Sequence, residues 1–451
     1  MNNHSRLLWL AFFAMVIAVG LLLVPGAAKP VLGHPSQIVD NFSTTQSITQ
    51  IGIGSTFAYV DDGGNIIGSQ REVTVTVTAT GASNTLNFQT NVGGLGQMSH
   101  SQGSGVRGTT TLTFDGTADS GAAGVDPSGL GSVDLESGGD NAFALVLISS
   151  DWGGSATITY YSNSSTSYCS SLTKAIPSGW ASSNHPRLVL FPYSDFSVGS
   201  GCTNAANKNA VGAITVHIDG TSNDDWDLTV DLVATVQLDY GDLPSSKLNY
   251  SIITVGDDAA GHAISTLKMG SLIDKETNGQ QNSGDALKDD QTTSDDEDGV
   301  VMLGTQWNAG STNQVRVNVN GDGCVAAWID WNNDGDFQDA GENILSNASV
   351  TSGNNDLTFN VPSGIPATAT YYSRFRLYPR DSSGGCTTTK SYIYQIYNGE
   401  VEDHQIGYKP TAVTLTSLEA NAEPFNPLIP VAGIVGVAGM LGVFVLKRRR
   451  N

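Results

Sequence analysis

The sequence predicts an all-β fold of two antiparallel β-sandwich domains in tandem, and three observations carry that prediction. Apolar residues recur at strand period in short runs, Gly- and Asn-rich turns separate those runs, and stretches of helical period are few. Composition agrees. Charged residues make up only 14% of the 451 positions while glycine alone supplies 52, a mixture that suits turn-rich exported β-proteins better than helical cytoplasmic enzymes. The formal net charge of −22 excludes nucleic acid as a partner, because little in the chain would neutralise phosphates.

The first domain is expected over residues 34–237. Val73, Val75 and Val77 alternate with threonines, the pattern of a strand with one dry face. Phe143, Leu145 and Leu147 alternate with the equally apolar Ala144, Val146 and Ile148, which predicts a strand buried on both faces. Ile214, Val216 and Ile218 point one way and Thr215 and His217 the other, and Trp226, Leu228 and Val230 repeat the arrangement.

Composition shifts near Leu238. Between Asp239 and Tyr408 there are 24 acidic residues against 9 basic ones, so over half of the acids fall in about a third of the chain. Strands are expected there around Val315 to Val319, Val325 to Ile329, Leu357 to Val361 and Tyr372 to Leu377, giving a second sandwich over 238–408.

The two ends point to export. Arg6, the apolar run Leu7 to Leu23 and the small residues Gly26 to Ala28 form a signal peptide, expected over 1–33 with cleavage after Ala28 or Gly33. After a linker over 409–427, the apolar run Leu428 to Leu446 is long enough to span a bilayer as a helix, and Lys447 to Arg450 would hold its end in the cytoplasm. The tail, 428–451, resembles the tripartite sorting signals of bacterial surface proteins but lacks the Leu-Pro-x-Thr-Gly of sortase substrates. Cys169, Cys202, Cys324 and Cys386 form no Cys-x-x-Cys pair. Two fall in each half, so Cys169–Cys202 and Cys324–Cys386 are the expected disulfides of an oxidising compartment.

One loop carries a metal signal. Asp330, Asn332, Asp334 and Asp336 put an oxygen-bearing side chain at every second position, and Gly335 stands where such a loop must turn sharply. Hard oxygen donors at this spacing suit Ca²⁺. Glu342 completes the candidate set, one residue later than in an EF-hand, where Gly341 stands instead; the Asp336 carbonyl is a further donor.

Two resemblances add to this reading. Arg71-Glu72-Val73, Phe114-Asp115-Gly116, Gly129-Leu130 and Val211-Gly212-Ala213-Ile214 look like a β-domain found at the front of bacterial exported proteins. Gly399-Glu400-Val401-Glu402-Asp403-His404 is similar to the motif that names the GEVED domain of bacterial surface proteins, with His404 in place of the usual tyrosine. Asp239 to Pro244, Met269-Gly270-Ser271, Asp295 to Val300, Ala327 to Asp330 and Arg374-Phe375-Arg376 follow that family's order. The resemblance implies an extracellular β-sandwich stabilised by calcium, and no known reaction or ligand. Glu297, Asp298, Glu400, Glu402 and Asp403 form a candidate second metal site, with Arg374 and Arg376 expected to bridge to these carboxylates.

No His-Glu-x-x-His, Walker loop or Gly-x-Ser-x-Gly elbow is present, and the seven histidines are scattered. The expected function is therefore non-catalytic: a calcium-stabilised structural or adhesive protein of a bacterial surface. Its partners would be envelope or extracellular matrix components, and its C-terminal helix would either hold it to the membrane, with the preceding chain outside, or be removed by processing that releases it. The alternative is carbohydrate binding, with Trp152, Trp180, Trp226 or Trp331 as stacking platforms for glycans.

Overall fold

The computed structural model describes residues 37–407 apart from 118–123, 163, 182–185, 245–258, 274, 277–285, 287–295, 382 and 388. The expected leader (1–33), linker (409–427) and apolar tail (428–451) lie outside the described residues. Among the described residues no helix is long and apolar enough to cross a membrane. The fold is all-β, as the periodicity predicts.

Two sheets form the first sandwich. One runs, strand by neighbouring strand, through Ser197–Val198, Ser165–Ile176, Gly154–Ser162, Val211–Asp219, Arg107–Phe114, Gln70–Ala79 and Gly54–Asp61. The other centres on Ala142–Ser150, between Arg187–Pro192 and Asp227–Val236. Val73, Val75, Ile214, Val216, Leu228 and Trp226 meet in the core between them. The strand Ala142–Ser150 is buried on both faces: Phe143, Leu145 and Leu147 enter this core, while Ala144 and Val146 join a second apolar layer on the sheet's other side.

The N-terminal motifs converge on one spot. Leu130 N–H donates to the Gly212 carbonyl at 2.9 Å, and Asp126 N–H donates to Asp115 Oδ2 at 2.9 Å. The backbone approaches so closely that a Cβ on Gly129 would collide with the Asp115 carbonyl, and one on Gly212 with the Pro127 carbonyl. Nearby, Arg71 is fully buried and donates to Asp40 Oδ2 (2.6 Å), Gln46 Oε1 (2.8 Å) and the Thr44 carbonyl (3.0 Å), fixing the first strand to the loop after it.

The second sandwich packs Asn343–Val350, Gly323–Ile329, Thr370–Pro379 and Glu400–Gly407 against a smaller sheet built on Thr312–Asn320. Val315, Val317, Val325, Ile329, Phe359 and Phe375 fill its core. The disulfides Cys169–Cys202 and Cys324–Cys386 form as expected, closing separations of 33 and 62 residues. Each is worth about 4 kcal/mol on a chain-entropy estimate.

The halves are not separate beads. Gln395–Tyr397, from the second half, pairs with the first: Arg187 lies opposite Ile396. Gly261–Ala263 then adds in parallel to Gln395–Tyr397, and Leu238–Tyr240 closes that edge. One sheet thus runs across the expected boundary at 237/238, and residues 37–407 fall within a single compact unit. Calorimetry should accordingly give one cooperative transition carrying both sandwiches; two well-separated transitions would show that the shared sheet adds little coupling.

Candidate functional site

The loop 330–342 links strands Gly323–Ile329 and Asn343–Val350, and it gathers its five predicted residues within one turn system. Asp330 is fully buried, and its Oδ1 and Oδ2 accept from the N–H groups of Asp334 (3.2 Å) and Gly335 (2.9 Å). Glu342, also buried, accepts from Trp331 N–H (3.2 Å) and Asp339 N–H (3.1 Å). Gly335 and Gly341 both sit at φ 96°, a region that favours glycine, which accounts for their places in the motif. Asn332 Nδ2 donates to Asp334 (2.9 Å) and Asp339 (2.6 Å), and Asp336 Oδ1 accepts from Gln338 N–H at 2.9 Å. Asp339, which the spacing argument passed over, thus belongs to the cluster.

The donor chemistry is that of a hard-cation site, all oxygen and mostly anionic. As arranged, the carboxylates face backbone N–H groups instead of a common centre, and among the described residues no group of three or more His, Cys, Asp or Glu side chains is placed to hold a metal ion. Burial, then the charges of Asp330, Asp334 and Asp339, push the Glu342 carboxyl up to about 7. The loop is anchored by Phe337, which packs edge-on against Tyr392 at 5.9 Å within a buried cluster that includes Ile396 of the shared sheet.

The Gly399 to His404 motif is a set of clamps. A Cβ on Gly399 would collide with the Leu377 carbonyl, so glycine lets the strand start against its neighbour. Side chains then alternate. Glu400 and Glu402 face one side, where Glu400 Oε2 accepts from Met269 N–H and Glu402 Oε1 from Gly299 N–H (3.0 Å). Each carboxylate therefore holds an edge segment of the smaller sheet to the strand Glu400–Gly407. Burial and their mutual repulsion raise the pKa of Glu400, while burial raises that of Glu402 against the pull of His404. His404 Nε2 meets Glu402 Oε2 at 3.1 Å, so histidine serves here where tyrosine is usual.

Asp403 faces the opposite side. It receives a bidentate pair from Arg374, Nε to Oδ1 at 2.7 Å and NH2 to Oδ2 at 2.6 Å, and a third bond from Leu243 N–H. The structure therefore divides the five residues of the candidate second metal site: Asp403 belongs to the arginine, Glu400 and Glu402 to the clamps, and Asp298 accepts from Ser271 N–H at 2.8 Å.

Arg376 departs from the expected carboxylate bridge. Its Nε donates to His262 Nε2 (3.1 Å), NH1 to the carbonyls of Ser391 (2.9 Å) and Ile393 (2.8 Å), and NH2 to those of Gly261 (3.1 Å) and Tyr394 (2.9 Å). His262 Nδ1–H then donates to the Asn398 carbonyl at 3.0 Å, which fixes the tautomer. Burial, reinforced by Arg376, holds the His262 pKa well below the usual range, so the ring stays neutral and able to accept. The segments this cage grips, 261–263 and 391–398, are the ones that carry the shared sheet. Sequence reading missed His262 because a lone histidine in a three-residue strand has no periodic signature.

Of the four tryptophans weighed as glycan platforms, Trp226 and Trp331 are core residues. Trp180 packs partly against the first core, and Trp152 is 55% exposed.

Lysine has three donors where arginine has five. Arg376→Lys should therefore leave buried acceptors unpaired and cost on the order of 3 kcal/mol in urea unfolding; an unchanged midpoint would contradict the cage. With calcium chelated, Glu342 contributes stability that is complete below its ordinary value of 4.5 and is lost as pH rises towards about 7. Melts across that window should show a falling trend that is shallower in Glu342→Gln.

No curated protein matches this chain. A family 11 carbohydrate-binding module from Clostridium thermocellum, in complex with a β-1,3-1,4-mixed-linked tetrasaccharide, aligns at 10% identity over 44% of this chain and 94% of its own, with a TM-score of 0.23. The tandem CBM22-1–CBM22-2 domain of Paenibacillus barcinonensis Xyn10C aligns at 10% identity over 85% of this chain and 100% of its own, at a TM-score of 0.20. Likenesses this slight carry no argument about what the chain binds. The family match is more specific, and it falls on the strands that build the clamps and the arginine cage: residues 324–407 match the model of the GEVED domain.

Proposed function

We propose that the chain is a non-catalytic, exported protein of a bacterial surface, structural or adhesive in role, whose two-sandwich body is stiffened by Ca²⁺ at the loop 330–342. The observation that supports this best is where the buried charge goes. Arg71, Arg374, Arg376, Glu400, Glu402 and Asp403 are all buried, and each bonds one strand or loop to another. Two disulfides fit an oxidising exterior. The leader-like N-terminus and the apolar tail with its basic end fit export and anchoring, with envelope or matrix components as partners.

In this reading Asp330, Asn332, Asp334, Asp336 and Glu342 hold the ion. Asn332 and Asp334 are exposed, Asp330 and Glu342 buried, and all four accept from backbone N–H groups of the loop that the ion would have to replace or share. The ion would supply the positive charge that the crowded carboxylates lack. At a dissociation constant ten-fold below ambient Ca²⁺, one site adds about 1.4 kcal/mol.

A second reading, carbohydrate binding, is favoured by Trp152. Its turn is rigid: Asp227 N–H donates to Asp151 Oδ1 at 2.8 Å, and Trp226 Nε1–H donates to Ser150 Oγ at 2.9 Å. An exposed indole on a fixed turn loses little freedom when a sugar stacks on it.

Thermal melts in EDTA and then in millimolar CaCl₂ test the first reading. Calcium, and not magnesium, should raise the transition by several degrees, and Asp334→Ala with Glu342→Ala should abolish the rise. A rise that survives both substitutions would sink this choice of ligands.

A further inference from the structure

We infer that the outer face of the seven-stranded sheet is a docking surface for a neutral polysaccharide, an inference that rests on the carbohydrate-binding reading. Strand register lines up hydroxyls across this sheet in rows. Thr74, Thr111, His217, Thr157 and Thr173 stand opposite one another in sequence across five strands. The adjacent row places Thr113, the buried Thr215, Thr159 and Ser171 in the same way. Neighbouring strands lie about 4.8 Å apart and successive outward residues about 6.8 Å, so the face is a two-dimensional array of hydroxyls.

Charge is kept off this array. The chain carries −22, yet in these two rows and the row of Thr76 and Thr109 beyond them the only acids are Glu72 and Asp219, and neither is exposed. Burial lowers the His217 pKa, so that ring is neutral at pH 7, and its Nδ1 shares a hydrogen bond with Thr111 at 2.8 Å. Charge stands at the ends of the face, where Arg107 pairs with Asp224 and Asp61 is exposed, whereas on the second sandwich Arg316 and Asp356 face each other across Thr312–Asn320 and Gly353–Asn360 in an ion pair at 2.7 Å.

A face of this kind selects among partners. Its hydroxyl rows lack the exposed charges that would draw an anionic or cationic polymer, and a second copy would bring a further −22 to the interface. Hydroxyls at regular spacing suit a polymer that repeats hydroxyls, where many weak hydrogen bonds add along the chain. Tyr59, exposed on the edge strand Gly54–Asp61, and Tyr161, half-buried in the middle of the sheet, supply rings on which sugars stack.

The test is retention of the full chain on microcrystalline cellulose and chitin, with titration of soluble mixed-linkage β-glucan and xylan and of alginate as an anionic control. Binding to at least one neutral polymer, weakened ten-fold or more by Thr111→Val with Thr157→Val and by Tyr161→Ala, supports the inference; melting curves confirm that these variants stay folded. Binding lost in Trp152→Ala but kept in the face variants keeps the carbohydrate reading and overturns this location. Binding to alginate alone overturns the neutral specificity. Binding to no polymer overturns both the location and the carbohydrate reading, and self-association abolished by the same face variants overturns the location.

Discussion

A buried guanidinium with no carboxylate of its own is the constraint around which the second half is arranged. Arg376 is fully buried and uses all five of its donors, on four carbonyl oxygens and one imidazole nitrogen. Taking a charge out of water is costly, and only a complete set of hydrogen bonds offsets it. The chain must therefore bring 261–262 and 391–394 to the arginine together. Once there, Gly261–Ala263 and Gln395–Tyr397 lie side by side, and their free edge meets Arg187–Pro192 of the first sandwich. The seam between the halves follows from satisfying one side chain.

Other features reinforce the same joint. Arg187 stacks over the Tyr394 ring at 4.0 Å, adding a cation–π contact where the two halves meet. Asp403, itself held by Arg374, accepts from Leu243 N–H, just past the strand Leu238–Tyr240 that joins the shared sheet. The acidic loop is tied in through Phe337 and Tyr392, so a change in that loop reaches the seam by direct packing. In this arrangement a calcium ion would stiffen the joint along with the loop that holds it.

Much of this was legible from residues alone. Period-two alternation located the core strands, and the two-sided apolar run at 143–148 marked the strand that carries cores on both faces. The even split of cysteines gave the disulfides. Alternation bears on the second candidate metal set as well: Glu402 and Asp403 are adjacent on a strand, so their side chains face opposite ways. What stayed hidden was non-local. A three-residue strand such as Gln395–Tyr397 has no pattern of its own, and its pairing with Arg187, over two hundred positions away, is set by the arginine cage. Trp331 gave no sign of its fate either, because a tryptophan beside an acidic loop reads equally as a platform or as core; contact with Trp307 and Tyr371 makes it core.

The claim that one cage welds the halves into a single body is tested most directly by hydrogen exchange on the intact chain. The amides of Gln395–Tyr397 and Gly261–Ala263 should exchange as slowly as those of Ala142–Ser150, at the deep sandwich core, because all three belong to one sheet. Fast exchange at the seam, with both sandwich cores still protected, would mean two independent modules that merely touch, and would contradict the account.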